Sequence, residues 1–251
     1  AASDVYKRQA EVVEVALGSA VVSAPLYEGN ISVYRATVPG LFLAMTLNHS
    51  GGLALRWFRD GFCEPQLARA IEQGDDAYDV ILEGAAADPS GLLVLPHFAG
   101  AGTPTFDTSS RGAILGLTFS TTRTDLAKAI LEGLTYELRL NLDLLRDGGV
   151  GIDVIRAIGG GARSKLWLQL KADITGIPVI TPRVTEAAAF GAALLAGAGA
   201  GLWGSAAEGA ERFLELTDTY EPDARRHAAY TELYERYREV YPAVAPISRR
   251  L

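Results

Sequence analysis

The sequence predicts one α/β domain in which a mixed β-sheet is flanked by helices. Short β-branched runs, punctuated by glycine and asparagine, fill residues 12–38 and are typical of antiparallel strands. Apolar residues recur every three or four positions over residues 124–146, which indicates a long amphipathic helix. Strand and helix patterns alternate over residues 154–196, an order that favours strands joined by helical crossovers.

The first half of the chain is predicted to begin with strands and to end in the long helix. Three antiparallel strands are expected at residues 12–17, 21–26 and 31–38. Two helices and two buried strands are expected next, at residues 52–59 and 65–73 and within residues 90–100 and 112–118. We expect Thr124 or Asp125 to cap the long helix and the glycines after Asp147 to end it.

The second half is predicted to continue the sheet and to close with a terminal helix. Strands and helices are expected in turn at residues 154–158, 163–175, 178–180 and 186–196. The last of these helices is rich in alanine and glycine, so we expect it to pack tightly inside the domain. A charged, tyrosine-rich helix at residues 220–241 is expected to pack on the outside.

Composition excludes several classes of protein. The chain of 251 residues carries a net charge of −7, so no basic field favours nucleic acid or an anionic membrane. Its single cysteine, Cys63, excludes a disulfide framework and favours a reducing, cytoplasmic compartment. No run of eighteen apolar residues predicts a membrane helix. The three histidines, His49, His97 and His227, have no metal-ligand spacing, so no metal-binding residue is predicted.

Three adjacent glycines between a strand pattern and a helix pattern are the first candidate site. They occur in "AIGGGARSKLWLQLKADITG", residues 157–176. Missing side chains let a ligand approach the backbone, and the helix N-terminus offers free N–H groups to an anion. A tight connection packed through glycine explains the pattern as well. The phosphate-loop motif GxxxxGK[ST] and the dinucleotide motif GxGxxG are not the source of these glycines.

Together with three other segments, this stretch resembles the FGGY carbohydrate kinases. It is followed by "TEAAAFGAALLAGAGAGLW", and residues 112–133, "GAILGLTFSTTRTDLAKAILEG", are similar to the family's C-terminal signature. The other two segments are "LVLPHFAGAGTPTFD" and "ALGSA". The resemblance implies an actin-like, ribonuclease H-like ATPase domain. Asp125 and Glu132 match positions of that signature, and we interpret both as structural: Asp125 in a helix first turn, and Glu132 in a charge pair or on a polar face.

The resemblance covers the C-terminal domain of a two-domain enzyme. It implies that residues 11–251 form this nucleotide-binding domain and leaves residues 1–10 unassigned. The family's N-terminal sugar-binding domain, with the aspartate that acts as general base, would precede residue 1. No catalytic residue is therefore assigned within this chain.

The resemblance also implies the residues that meet ATP. Gly18 and Ser19 match a turn that receives the terminal phosphates, and Gly52 matches a glycine at a helix start near the phosphates. The adenosine loop corresponds to Gly160, Gly161 and Ala162. Lys165 matches a position that reaches the base or ribose, although a solvated helix face explains it equally.

The implied reaction is phosphorylation of a sugar by ATP with Mg²⁺. A ketopentose such as xylulose is favoured, and glycerol, another polyol or gluconate stays open because Ala101 and Gly102 replace a charged pair common in xylulose kinases. The implied partners are the sugar and the N-terminal kinase domain, and a homodimer is left open. Two alternatives remain: a non-catalytic nucleotide-binding piece, and another actin-like ATPase such as a chaperone.

Overall fold

The computed structural model describes residues 10–251, so residues 1–9 of the unassigned segment lie outside the described residues. The strands within that range are β1 Glu11–Leu17, β2 Ser32–Arg35, β3 Phe42–Asn48, β4 Leu93–Leu95, β5 Ala113–Leu115, β6 Ile155–Arg156, β7 Val179–Pro182 and β8 Leu216–Tyr220. The helices are α1 Ala24–Glu28, α2 Gly52–Phe62, α3 Glu64–Gln73, α4 Ala77–Leu82, α5 Arg123–Asp147, α6 Lys165–Thr175, α7 Ala187–Gly199, α8 Ala206–Phe213 and α9 Ala224–Ser248. A 3₁₀ turn, Gly160–Arg163, directly precedes α6.

The strands form three small sheets rather than one large one. In the first sheet, β3 is central and pairs antiparallel with both β1 and β2. In the second, β4 and β5 are antiparallel. In the third, β7 lies between a parallel β6 and an antiparallel β8. Helices flank these sheets, so the predicted α/β class with a mixed sheet is confirmed.

The predicted strand at residues 21–26 is wrong. Ser23 is the extended N-cap of the short helix α1, and Pro25 lies in its first turn, where the fixed φ of proline suits a helix. The strand that pairs with β1 is β3, which the sequence analysis missed beyond the turn at Gly40. Consequently, the expected hairpin turn at Gly18 and Ser19 does not join two paired strands.

The long helix α5 is confirmed and is the centre of the core. Its cap is Thr122, so the expected caps Thr124 and Asp125 are wrong. The Thr122 hydroxyl accepts a hydrogen bond from the Asp125 N–H at 3.1 Å, and the Asp125 carboxylate accepts one from the Thr122 N–H at 2.9 Å. This reciprocal pair is a capping box, which stabilises the free N–H groups of the first turn. Gly148 ends the helix, as expected.

The terminal helix α9 packs on the outside of the domain, with one face turned to the core and most of its other residues exposed or half-buried. Tyr230, Tyr234 and Tyr237 of α9 are at most 2% exposed and belong to the largest hydrophobic cluster. Their rings surround Tyr136 of α5, with centroid distances of 5.0–6.4 Å. The spacing of four and three residues places the three tyrosines on one helix face, and the charged residues between them conceal this stripe in the sequence.

The expected internal position of the alanine-rich helix is wrong. Within α7 only Leu194 and Gly197 are buried, and Leu195 is 45% exposed. An alanine and glycine sequence that is apolar all round carries no stripe to identify a packed face, so composition alone misplaced it. Within the described part of the chain, no helix has both the length and the apolarity needed to cross a membrane.

Candidate functional site

The three glycines before α6 differ in what a side chain would meet at each position. Gly159 has a φ of +74° and donates its N–H to the Thr185 carbonyl at 2.8 Å, a backbone conformation that other residues rarely adopt. A Cβ on Gly161 would lie 2.9 Å from the Trp167 ring. At Gly160 a Cβ would meet no atom within 4 Å. The fold therefore explains two of the glycines, and Gly160 is left facing open space.

The remaining loop residues lead directly into α6. Ala162 is buried and donates its N–H to the Gly159 carbonyl at 3.2 Å. Ser164 caps α6, its hydroxyl accepting from the Trp167 N–H at 3.3 Å. Lys165 is the exposed first residue of the helix, and the first turn contains no acidic residue. This end of α6 thus combines a helix N-terminus with an exposed cation, which is favourable for an anion, although the Glu186 carboxylate lies 3.7 Å from the Arg163 guanidinium in the preceding turn.

A second helix start has the same character. Gly52 is the exposed first residue of α2, and the buried Gly51 is its N-cap. No acidic side chain occupies the first turn, and a Cβ on Gly52 would meet nothing within 4 Å. Because no side chain caps this eleven-residue helix, its first N–H groups stay available to an external acceptor.

Contacts with α5 bring the glycine loop and the start of α2 to the same region. The Trp167 indole, which lies against the loop, donates to the Thr135 hydroxyl at 3.1 Å. Four residues before Gly52, the Asn48 side-chain oxygen accepts from the Asn141 amide at 2.7 Å. Thr135 and Asn141 are six residues apart on one helix, a rise of about 9 Å. Each candidate anion site is therefore linked to α5 by a nearby residue, and the two links lie on different faces of that helix.

The structure does not bring Gly18 and Ser19 to this region. The β1–β3 ladder runs from the Glu11–Asn48 pair to the Leu17–Phe42 pair. Both residues follow Leu17 and are exposed, so they lie at the Phe42 end of the ladder, whereas Gly52 follows Asn48 at the other end. Seven strand residues separate the two ends by about 20 Å. A role for Gly18 and Ser19 at the phosphates stays a prediction.

Glu132 is the most deeply buried charged residue of the signature at residues 112–133, and its role is structural. Glu132 is fully buried, with its carboxylate 3.0 Å from the Lys128 ammonium and accepting from the Tyr230 hydroxyl at 3.0 Å. Its oxygens also accept hydrogen bonds from Ser90. Burial, with the nearby Glu132 charge, raises the pKa of the Tyr230 hydroxyl far above its usual range. The expected charge pair of Glu132 is present.

Sequence reasoning missed a polar cluster behind the start of α2. His97 was considered only as one of three histidines without metal-ligand spacing, yet it is 5% exposed and lies 3.4 Å from the Glu137 carboxylate. Ser50, in the loop between β3 and α2, is 7% exposed and lines a small cavity together with His97 and Glu137. Glu137 and Asn141 interrupt the apolar pattern of α5 one turn apart. Two polar residues on the core-facing side of one helix were the sequence signal that could have identified this cluster.

The fold is that of an actin-like, ribonuclease H-like α/β domain. The fold is similar to that of a xyloylose (xylulose) kinase from Brucella ovis, with a TM-score of 0.76 and 29% identity over 95% of this chain and 48% of that one. Residues 12–200 match the C-terminal domain of the FGGY family of carbohydrate kinases. The chain therefore belongs to the FGGY family of carbohydrate kinases.

Curated relatives act on more than one class of substrate. The chain is 32% identical to the xylulose kinase of Staphylococcus epidermidis over 228 residues, which are 90% of this chain and 43% of that protein. It is 39% identical to a glycerol kinase of Saccharolobus islandicus over 158 residues, 62% of this chain and 30% of that protein. The chain thus spans less than half the length of the relatives it matches, and they leave the sugar undecided.

Proposed function

We propose that this chain is the nucleotide-binding half of an ATP-dependent sugar kinase. The observation that carries the proposal is Gly160, where the fold itself leaves room for a side chain and the sequence has none. A ligand that lies flat against the backbone accounts for that absence. The adenosine of ATP would lie along Gly160, Gly161 and Ala162, with Lys165 reaching its base or ribose.

The phosphates would lie at the start of α2. Its first N–H groups are uncapped and its first turn holds no acidic residue, so the helix dipole favours a negative charge there. Gly52 lets a phosphate oxygen come within hydrogen-bond distance of the backbone. Gly18 and Ser19 stay in the proposal as a separate phosphate contact, which requires that the strand end at Leu17 also face the cleft.

Mg²⁺ fits this site through the phosphates rather than through a protein cage. Within residues 10–251, no group of three or more histidine, cysteine, aspartate or glutamate side chains is placed to hold a metal ion. Mg²⁺ prefers phosphate oxygens and retained waters, with one or two carboxylates, so a nucleotide platform built mainly of backbone N–H groups is compatible with it. When bound with ATP, the ion neutralises charge on the phosphates.

The other half of the enzyme would supply the sugar site. We propose that an N-terminal domain contributes the aspartate that takes the proton of the sugar hydroxyl, together with most sugar contacts. This division agrees with the relatives, of which the chain matches 43% or less. The single cysteine favours the cytoplasm as the compartment, and a homodimer stays open.

A ketopentose such as xylulose is the favoured acceptor. The support is the glycine-loop sequence "IGGGARS" and the xylulose kinases among the relatives. Against it, Ala101 and Gly102 stand where many xylulose kinases have a charged pair, and a Cβ on Gly102 would lie 1.8 Å from the Leu47 carbonyl. Gly102 therefore has no room for a side chain, and glycerol, another polyol or gluconate is the alternative acceptor.

ATP affinity of a Gly160→Val variant tests the nucleotide site. In the full-length protein we expect ATP to bind at least about tenfold more weakly, since a branched side chain blocks the approach to the backbone. Gly151→Val is the matched control, because Gly151 is exposed, has an ordinary φ and also faces open space. Equal ATP affinity in both variants, measured by titration calorimetry, would remove the adenosine loop from the proposal.

A panel of acceptors tests the reaction. The full-length protein is mixed with ATP, Mg²⁺ and, separately, xylulose, ribulose, glycerol, xylitol and gluconate, and ADP release is followed. We expect the highest kcat/KM with xylulose. Preference for glycerol or gluconate would correct the substrate alone, and no turnover with any acceptor would contradict the kinase assignment.

A further inference from the structure

A small cavity lies directly behind the start of α2, on the core side of the proposed phosphate site. Its volume is about 10 Å³, and the residues that matter here are Asn48, Ser50, His97 and Glu137. A cavity of this size has room for one water molecule, and a polar lining is what distinguishes hydrated cavities from empty ones. None of the residues in the proposed adenosine loop contacts it.

Two polar atoms in the wall lack partners. The Ser50 hydroxyl oxygen and the His97 Nε2 atom are buried, and neither has a hydrogen-bond partner among residues 10–251. The Glu137 carboxylate lies 3.4 Å from that nitrogen, beyond good hydrogen-bond geometry. Buried polar atoms without partners are costly, so native proteins satisfy them with protein groups or with ordered water.

Other contacts hold the His97 and Glu137 side chains in place. On its other nitrogen, Nδ1, His97 is 2.7 Å from the Ser110 hydroxyl, and its ring packs on Tyr241 with the centroids 5.6 Å apart. Glu137 accepts a hydrogen bond from the Tyr237 hydroxyl at 2.5 Å. Both groups are therefore fixed with one polar side turned to the cavity. A molecule that both donates and accepts fits between them.

We propose that this cavity binds one water molecule, held by Ser50, His97 and Glu137, and that this water fixes the turn leading into α2. Ser50 immediately precedes the N-cap Gly51. A water that ties Ser50 to the core orients the backbone whose N–H groups begin the helix, with the strength of a direct hydrogen bond. Ser50 and His97 are then positioning residues for the anion site, an inference that rests in this respect on the proposed function.

A high-resolution crystal structure of the full-length protein tests the water itself. We expect one density peak with three polar neighbours and no other ligand. An empty cavity, a side chain turned into it, or a cation with five or more oxygen ligands would each overturn the proposal. This readout needs no activity, so it stands even where the kinase assignment fails.

Substitutions at Ser50 and His97 test the positioning role. Ser50→Val fills the cavity and should expel the water, raising the KM for ATP about fivefold, the equivalent of one hydrogen bond, with kcat within about twofold. The matched control is Thr46→Val, since Thr46 is buried on β3, its hydroxyl also has no partner among residues 10–251, and it does not line the cavity. Thr46→Val should leave the KM unchanged.

Paired changes at His97 cover the case in which Ser50→Val does not fold. Gln retains a side-chain N–H at a similar reach, so His97→Gln should preserve the KM for ATP, whereas His97→Leu should raise it as Ser50→Val does. Equal KM values in the folded His97→Gln and His97→Leu variants would contradict the positioning role. Failure of the unsubstituted protein to bind ATP would instead contradict the proposed function and leave the crystallographic result untouched.

Discussion

Gly159, Gly160 and Gly161 are neighbours in the chain, but a side chain would have a different consequence at each. At Gly159 the cost is backbone strain, and at Gly161 it is a collision with Trp167. Only at Gly160 would a side chain be free of the fold and interfere solely with something outside it. A mutation in a glycine-rich loop therefore reports on function only at a position where the added side chain neither strains the backbone nor collides with the fold.

Gly161→Val is expected to destabilise the protein rather than to probe ATP binding alone. Its side chain would push the buried Trp167 ring, whose indole N–H is held by Thr135, and overpacking of this kind costs about 1–3 kcal/mol. Thermal unfolding should show a lower Tm for Gly161→Val than for Gly160→Val. Equal Tm values would mean that the loop moves away from Trp167 easily.

The buried pair of Lys128 and Glu132 predicts a larger effect on stability. Lys128→Met leaves the Glu132 carboxylate without its ammonium partner in a fully buried site, at a cost of about 3–5 kcal/mol. The double variant Lys128→Met, Glu132→Leu removes both charges and should recover part of that loss. Urea unfolding measures both, and a single variant as stable as the unsubstituted protein would contradict the prediction.

At the scale of elements, the C-terminal helix α9 is fastened at two places. Its tyrosines enter the core, and its last turns are held by Asp107, in the loop after β4. The Asp107 carboxylate accepts from the Tyr241 hydroxyl at 2.7 Å and lies 3.1 Å from the Arg249 guanidinium. The loop that carries the proposed specificity residues Ala101 and Gly102 is thereby tied to the C-terminal end of α9.

This fastening predicts a dependence of stability on pH. Hydrogen bonds from Ser109, then from Tyr241 and from Arg249, hold the pKa of Asp107 well below its usual range. A carboxyl whose pKa is lower in the folded state stabilises the fold above its unfolded pKa of about 3.9, and this contribution is lost as the pH falls through the folded pKa. Asp107→Asn should therefore lower the Tm at pH 7 and have a smaller effect near pH 2.

The measurement is a Tm profile between pH 2 and pH 7 for both proteins. The Tm difference between them should shrink progressively below pH 4, since Asp107 takes up a proton there in the unfolded chain while its folded carboxylate is still ionised, which favours unfolding. Asp143→Asn is a suitable control. Like Asp107, Asp143 accepts a hydrogen bond from a tyrosine of α9, Tyr234, but it lies on α5 rather than in the loop after β4. A Tm difference that stays constant down to pH 2 would exclude the carboxylate charge as its origin.

At the scale of the whole molecule, the proposed reaction requires residues from two domains. The proposed nucleotide contacts come from α2 and α6, whereas the base and the sugar site are assigned to another domain. Phosphoryl transfer depends on closing such a cleft around both substrates, since closure excludes water and aligns the reacting groups. Neither half alone is expected to position an acceptor hydroxyl.

Residues 1–251 alone are therefore expected to bind ATP without transferring its phosphoryl group. The same chain within the full-length protein should turn over xylulose or another polyol at kinase rates, about 1–100 per second. Calorimetry and ADP release, applied to both proteins, separate the two steps. Binding without turnover in both would favour the alternative of a non-catalytic nucleotide-binding protein.

The sequence predicted the parts of the fold that depend on local patterns. The long helix α5 has apolar residues at every third or fourth position, which is the helical pattern. The glycine loop was recognisable from its three adjacent glycines between a strand pattern and a helix pattern. The position of Tyr230, Tyr234 and Tyr237 depends on what packs against them, which no local pattern records. Likewise, the pairing of β1 with β3 follows from long-range register, so the end of the ladder to which Gly18 belongs was invisible in the sequence.

The burial of α9 also constrains how the protein is made. Residues 230–237 complete the core around Tyr136, almost a hundred positions earlier in the chain. During synthesis the apolar surface of α5 stays uncovered until α9 has emerged from the ribosome. A nascent chain interrupted before residue 224 would expose this surface to chaperones and proteases, so a variant truncated at that point should accumulate no folded product.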